Sequence, residues 1–377
     1  MVEKLGVGII GCGNISAAYL GLGPMFKGIE MRACADLNPD AAQARAAEFG
    51  LKSHSVEDLL ARDDIDIVVN LTIPAAHSTV SSAALEAGKH VYSEKPFVLS
   101  VDEGTAIRTK AEAAGLRVGS APDTFMGGSH QLVRHLIDGG AVGRITSGTA
   151  IVQGHGMEGW HPNPDFFFQP GAGPILDIGP YYVSNLVQLL GPVRAVQALT
   201  ATPRATRTIG NGPRLGEEIA VNTPTTIHAL LSFHSGAVIT LIASWDVWAQ
   251  SHGNMELYGE DGTIFVPDPN FFGGEVRMTR AQDTVAPPAW DHPFSAPNFG
   301  TNTEHANYRG AGLADMAMAI QVDRPHRCAA EFAHHVVDVM TGILRAGETG
   351  AAVAMTTTCT RPAAVDGTAA RALLADG

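Results

Sequence analysis

Basic residues are scarce in this chain. Its 377 residues include 25 lysines and arginines against 38 acidic residues, a formal net charge of -13. No Lys/Arg cluster reverses that balance, which excludes nucleic acid as a partner. Long hydrophobic runs are missing too. No segment reaches the ~18 uninterrupted apolar residues of a membrane-spanning helix, so no membrane partner is expected. Cysteine is sparse: Cys12, Cys34, Cys328 and Cys359 stand in unrelated contexts, with no CxxC pair. That argues against zinc and for reduced thiols. The histidines offer no metal site either. His334 and His335 are adjacent and point apart on a helix, and His155 and His161 lack partners at ligand spacing. No cleavage-site signature follows Met1-Val2-Glu3-Lys4, and a cytoplasmic protein is expected. Disorder is excluded because 45% of the residues are hydrophobic, enough to bury large cores.

Glycine, at 42 residues, is plentiful, and strands alternate with helices. Apolar strands are expected at 5–10, 30–35, 65–71, 90–93 and 117–120. Helical patterns fall at 15–20, 41–49, 77–87 and 101–114. Continuous apolar strands separated by helices imply a parallel sheet covered on both faces. This is a doubly wound, Rossmann-type unit spanning 1–122. A second unit, 123–377, opens with a helix at 127–139. Alternating strands follow at 145–154, 194–202, 225–233, 237–245, 255–259 and 263–267. Turns at His234-Ser235-Gly236 and Glu260-Asp261-Gly262 mark hairpins. The fold class is therefore α/β plus α+β, the second part a large, mostly antiparallel open sheet. Helices, including one at 332–344, should cover one face of it.

The chemical signals begin at Gly11-Cys12-Gly13-Asn14-Ile15-Ser16, between a strand and a helix. Gly11 suits the tight turn, Gly13 lets a pyrophosphate approach the backbone, and Ser16 permits close helix packing. Asp36 closes the second strand, where a carboxylate accepts bonds from ribose hydroxyls and repels the 2′-phosphate of NADP. NAD is favoured; the alternative is that Asp36 only starts the turn before Asn38-Pro39. Lys95, in Glu94-Lys95-Pro96 at a strand end, faces the ligand crevice of such a sheet. Asp177 and Tyr181, four residues apart, share a face if the apolar helix before Gly191-Pro192 begins that early. Otherwise Asp177 caps that helix and Tyr181 packs in the core.

Together these motifs, with Thr72-Ile73-Pro74, His77, Ala87-Gly88-Lys89-His90-Val91 and Asp177-Ile178-Gly179, resemble the Gfo/Idh/MocA oxidoreductase family. The order and spacing of the motifs carry the resemblance. It implies an NAD(P)-dependent enzyme acting on a sugar or cyclic polyol, a small-molecule substrate. It implies that Gly11, Gly13, Asn14, Ile15 and Asp36 hold the dinucleotide. Thr72, Pro74 and His77 would line its adenosine side and nearby ribose, and Glu94 and Lys95 the nicotinamide end. Lys95 would be the catalytic-site lysine. It also implies a homodimer or homotetramer through the C-terminal sheet. Many members carry His where this chain has Tyr181, so the chain is similar to a branch with Tyr there.

Oxidising a secondary alcohol needs a proton acceptor beside the departing hydride. Lys95 and the oxidised nicotinamide, both cationic, would favour the phenolate of Tyr181. Tyr181 is then the acid/base, with Lys95 binding the substrate oxygen and tuning Tyr181, and Asp177 orienting Lys95 or a substrate hydroxyl. The reverse assignment, with Lys95 as proton carrier, stays open. His155, Trp160, His161, Phe166, Phe167 and Phe168 suit a sugar pocket or a packed aromatic loop. A loop at 283–302 is long enough to cover the site or touch a neighbouring subunit, and Tyr308 and Arg309 after it are further substrate candidates. Two alternatives remain: a glycoside-cleaving enzyme that retains NAD and oxidises transiently, and a non-catalytic sugar- and NAD-binding regulator.

Overall fold

The computed structural model describes residues 3–161, 163–298 and 305–375. The first part runs β1 (Leu5–Ile10), α1 (Asn14–Leu22), β2 (Ile29–Ala35), α2 (Pro39–Phe49), β3 (Lys52–His54), α3 (Val56–Leu60) and β4 (Ile67–Asn70). It continues with α4 (His77–Glu86), β5 (His90–Ser93), α5 (Val101–Ala114) and β6 (Val118–Ser120). All its strand pairs are parallel, in the order β3-β2-β1-β4-β5-β6. Consecutive apolar residues make β4 wholly buried, as a sheet covered on both faces requires. Helix starts are set locally. The Asn38 side chain caps α2, and Ser100 and Glu103 form a capping box on α5. Strand order reverses between β1 and β4, which opens the ligand crevice beyond their carboxyl ends.

The second part begins with α6 (Gly128–Asp138), β7 (Ile145–Gln153), α7 (Gly173–Asp177), α8 (Gly179–Leu190), β8 (Val193–Ala201), β9 (Thr206–Thr208) and β10 (Glu218–Ala220). Then come β11 (Thr226–Phe233), β12 (Val238–Ser244), β13 (Met255–Gly259), β14 (Gly262–Val266), β15 (Arg277–Arg280) and β16 (Asp283–Val285). It ends with α9 (Ala311–Gln321), α10 (Ala330–Thr349), β17 (Val353–Ala354) and α11 (Gly367–Leu373). A nine-stranded sheet has the order β16-β15-β14-β13-β7-β12-β11-β8-β17, and β9 and β10 form a separate ribbon. Within the large sheet only β7 and β12 run parallel; the other pairs are antiparallel. Helix α8 is buried on every side, so it is a core helix rather than an amphipathic one.

The chain after the second sheet returns to the first. Ser120 donates its N–H to Cys328, and Lys27 donates to Leu373. One hydrophobic cluster consequently spans both sheets. All four cysteines are free and buried.

Three expectations need correction. The sequence pattern does not reveal β3, β9, β10, β15 and β16, each too short to show a periodicity of its own, nor α3 and α9. The loop at 283–302 opens as edge strand β16, and Phe294 within it is fully buried. Its residues 299–302 lie outside the described residues. Asp177 and Tyr181 do not share one helix. Asp177 ends α7 and Tyr181 lies in α8, because Pro180 cannot donate to the preceding turn and the ladder restarts.

Candidate active site

The glycine turn leaves β1 and enters α1. Gly11 has φ +103°, and a Cβ there would meet the Leu71 carbonyl at 2.6 Å. A larger residue cannot make that turn. Next to Gly13 the space is open, with nothing within 4 Å of a built Cβ. Asn14 is exposed, Ile15 half-buried, and no side chain caps α1, so its first N–H groups are free to meet an anion. Ser16 is buried, and its hydroxyl donates to the Gly13 carbonyl at 2.6 Å. Asp36 accepts from the Cys12 N–H at 2.7 Å, which places its carboxylate beside the turn. These residues fit a dinucleotide. Arg45, which the sequence reading passed over, reaches from α2 to the Gly13 carbonyl at 3.2 Å.

At the carboxyl end of β5, Glu94 and Lys95 diverge. Glu94 is buried; it accepts from the Tyr19 hydroxyl at 3.1 Å and from the Lys95 N–H at 2.9 Å. Lys95 crosses to Asp177, 82 positions away, donating to its carboxylate at 2.7 Å and its carbonyl at 2.9 Å. An ammonium has three N–H bonds, so one remains for a ligand oxygen. The Lys95 Nζ also lies 5.5 Å from the Tyr181 ring centre. Burial alone would lower the lysine, but Asp177, Tyr181 and Glu94 outweigh it and hold the ammonium above its ordinary value. Lys95 is thus a standing cation: a donor to oxygen and a poor proton acceptor.

Further groups lie behind this centre. Arg309 faces Tyr181 from the opposite segment, its guanidinium 5.9 Å from the ring centre. Asp123 follows β6 and accepts from the Gly310 and Gly312 N–H groups at 2.9 and 3.0 Å. Burial pushes its carboxyl up to about 6. The signal for Asp123 was present in the sequence: it follows a strand end of a doubly wound sheet.

His77 is buried, with its two ring nitrogens at the Pro96 and Thr72 carbonyls (2.7 and 3.0 Å). It clamps the Lys95 loop to the Thr72 turn, and burial holds it below the usual histidine value. Thr72 donates its hydroxyl to buried Asn70 at 2.7 Å, and Pro74 opens the short turn leading into α4.

Among the described residues no hydrogen bond, ion pair or ring contact joins the other substrate candidates to Lys95. Tyr308 lies in an aromatic cluster with Phe272 and Phe294 and donates to the Ala296 carbonyl at 3.0 Å. His155 stacks on Trp248 at 3.6 Å. Trp160 is exposed, and His161 sits edge-on to Trp160, Phe166 and Phe167. His334 and His335 engage Val101 and Val193 separately.

Comparison with known proteins bears on the whole arrangement. The model of an oxidoreductase family with an NAD-binding Rossmann fold, GFO/IDH/MocA, matches residues 5–121, and that of a GFO/IDH/MocA C-terminal domain matches residues 130–265. Among curated relatives, dTDP-3,4-didehydro-2,6-dideoxy-alpha-D-glucose 3-reductase of Saccharopolyspora spinosa is 30% identical over 85% of this chain and 92% of its own. Levoglucosan dehydrogenase of Pseudarthrobacter phenanthrenivorans is 27% identical over 70% of this chain and 73% of its own. The apo form of a levoglucosan dehydrogenase superposes with TM-score 0.78 at 23% identity, covering 95% of this chain and 100% of that one. The WlbA dehydrogenase of Bordetella pertussis, solved with NADH and UDP-GlcNAcA, gives 0.73 at 21% identity, covering 94% and 99%. At those identities the solved structures establish the shared fold. The family models, which take in both sheets, establish more: this chain belongs to the Gfo/Idh/MocA family of NAD-binding oxidoreductases.

Proposed function

We propose that the chain is an NAD-dependent dehydrogenase or reductase that interconverts a secondary alcohol and a ketone on a sugar or cyclic polyol. The observation that carries this reading is the Lys95–Asp177 contact beside Tyr181, at the nicotinamide end of the crevice. Gly11, Gly13, Asn14, Ile15, Asp36, Thr72, Pro74 and Glu94 form the cofactor-binding set. Asp36 selects NAD over NADP, and His77 acts by holding the Lys95 loop. When bound, the cofactor would supply the hydride acceptor as NAD⁺ in oxidation and the hydride donor as NADH in reduction. In reduction, Lys95 donates a hydrogen bond to the ketone oxygen while Tyr181 gives that oxygen its proton; oxidation runs the transfer backwards. The raised Lys95 ammonium supports this assignment over Lys95 as the proton carrier. Asp177 keeps the ammonium aimed.

Residues 1–122 are the cofactor unit and 123–377 the substrate and assembly unit of a cytoplasmic enzyme. Leu199 and Leu230 are exposed on the outer face of β8 and β11, beside a groove of about 420 Å³ that also takes in His228 and Thr240. A second copy covers this face, and light scattering should give a dimer or tetramer.

Incubation with NAD⁺ and a sugar and polyol panel tests the reading. NADH should accumulate with at least one substrate. Tyr181→Phe should lose about 10²- to 10⁴-fold in turnover, and near-native turnover in that variant overturns its role. Sugar release without NADH would point instead to transient oxidation.

A further inference from the structure

We propose that Arg309 is a positioning residue for this reaction, fixing the Tyr181 ring so that its hydroxyl meets the reacting oxygen. The inference rests on the oxidoreductase reading of the same site. Two asparagines and a tyrosine surround this guanidinium, and an aspartate holds the backbone that follows it. Asn270, after β14, accepts from it through its backbone and side-chain oxygens at 3.2 and 3.0 Å. Asn307 accepts at 3.1 Å. Asp123, after β6, accepts from the backbone N–H groups of Gly310 and Gly312, on either side of Ala311. Tyr181, on α8, fills the remaining side. Among the described residues no carboxylate lies within ion-pair distance of Arg309, although the residue is half-buried.

A purely structural role fits this placement poorly. Arg309 stands just before the N-terminus of α9, where the helix dipole opposes a cation. Its docking partners are neutral amides, which fix direction without neutralising charge. Burial works against the charged form, yet Tyr181, Asp123 and Glu94 hold the guanidinium charged. Tyr181 therefore has two cations near its ring: Lys95, itself neutralised by Asp177, and Arg309, which among the described residues has no direct counter-ion. A guanidinium fixed by two asparagines beside the ring restricts how the phenol and its hydroxyl can turn. Arg309 acts on the reaction through that ring and not by contact with the substrate.

A double-mutant cycle separates this from a structural or substrate-binding role. Arg309→Met should lower kcat about 10- to 100-fold, with the sugar KM changed less than about 3-fold. In the Tyr181→Phe background the same substitution should change kcat less than about 2-fold, because there is no hydroxyl left to position. Arg309→Lys, which keeps the charge but not the fork, should fall between wild type and Arg309→Met. NADH binding by fluorescence and a thermal melt report on folding; should Arg309→Met lose either, Arg309→Lys carries the cycle. Equal losses in both backgrounds, an unchanged kcat, or a change confined to KM overturn the proposal while the oxidoreductase reading stands. A wild-type enzyme that binds NADH but turns over nothing on the panel overturns both.

Discussion

Two of the buried ionic clusters in this protein, around Arg207 and around Lys95, are built differently. Around Arg207 the charge is matched by two carboxylates, although its Nε–H and the second Glu158 oxygen have no partner among the described residues. The side chain is 1% exposed; it donates to Glu158 at 2.8 Å, to the Trp245 carbonyl at 3.1 Å and to Asp246, and it lies over the Phe168 ring. Thr225 and Thr226 hydroxyls occupy the other Asp246 oxygen. The cluster pins the β9–β10 ribbon and the aromatic segment to the large sheet, beside a small core of Phe168, Ile209, Ile219, Val221 and Trp245. Around Lys95 the matching is incomplete. The ammonium is 18% exposed, holds one carboxylate, keeps one N–H uncommitted and faces a tyrosine. A buried cation held between two carboxylates holds the fold, whereas a cation with a single carboxylate and an open donor at the crevice is poised for a ligand.

Removing each cation should break the comparison in opposite ways. Arg207→Met strands Glu158 and Asp246, and loss of one partner from a buried pair costs ~3–5 kcal/mol. Calorimetry should show a clear fall in Tm. Lys95→Met should instead lower kcat/KM about 10²- to 10⁴-fold, with a smaller fall in Tm than the Arg207 variant. If Lys95→Met melts lower than Arg207→Met, Lys95 is the structural cation and the contrast is wrong.

The two clusters were unequally legible in the sequence. Lys95 and Asp177 announce themselves through strand ends and glycine-rich turns, which are local. Their contact spans 82 positions, and no periodicity encodes it. Arg207 gave no signal, because one arginine in a three-residue strand looks like surface until Glu158 and Asp246 come around it. Asp123 and Gly310, 187 positions apart, show the same limit. The first sheet was readable because its continuous apolar strands and capped helices are local patterns. The β9–β10 ribbon was not, since its short strands are held by tertiary contacts. His155 and Trp160 drew notice as sugar ligands through aromatic density alone, a feature that equally describes a packed lobe.

A pH titration of stability sharpens the same contrast between filled and open groups. Burial pushes His130, His326 and His335 down to about 4. Each is neutral in the fold and binds a proton more readily when unfolded. Their contribution is complete above pH 6.5 and is lost as pH falls through 6.5 toward 4, at most on the order of 3 kcal/mol apiece. Asp123 opposes them: its carboxyl, raised to about 6, is most favourable below its ordinary 3.8 and loses that advantage as pH rises through about 6. Three imidazoles outweigh one carboxyl, so Tm should fall between pH 6.5 and 4. His335→Gln should blunt the fall, whereas Asp123→Asn should steepen it. A Tm that is flat or rising across that window would show that these histidines are not buried as neutral groups.

The smallest effect belongs to the first sheet, where the determinants are local. Ser100 accepts from the Glu103 N–H at 3.2 Å, and Glu103 accepts from the Ser100 N–H at 3.2 Å. Ser100→Ala removes half of that box and should cost ~1 kcal/mol. Because α5 follows the Glu94-Lys95-Pro96 turn, the same substitution asks whether a helix start positions Lys95. Chemical denaturation should show the loss of stability with an unchanged m-value, and kcat should hold within about 2-fold, since Asp177 and His77 fix the lysine loop independently of the cap. A larger fall in kcat would mean that Lys95 takes its aim from α5 and not from the groups that touch it.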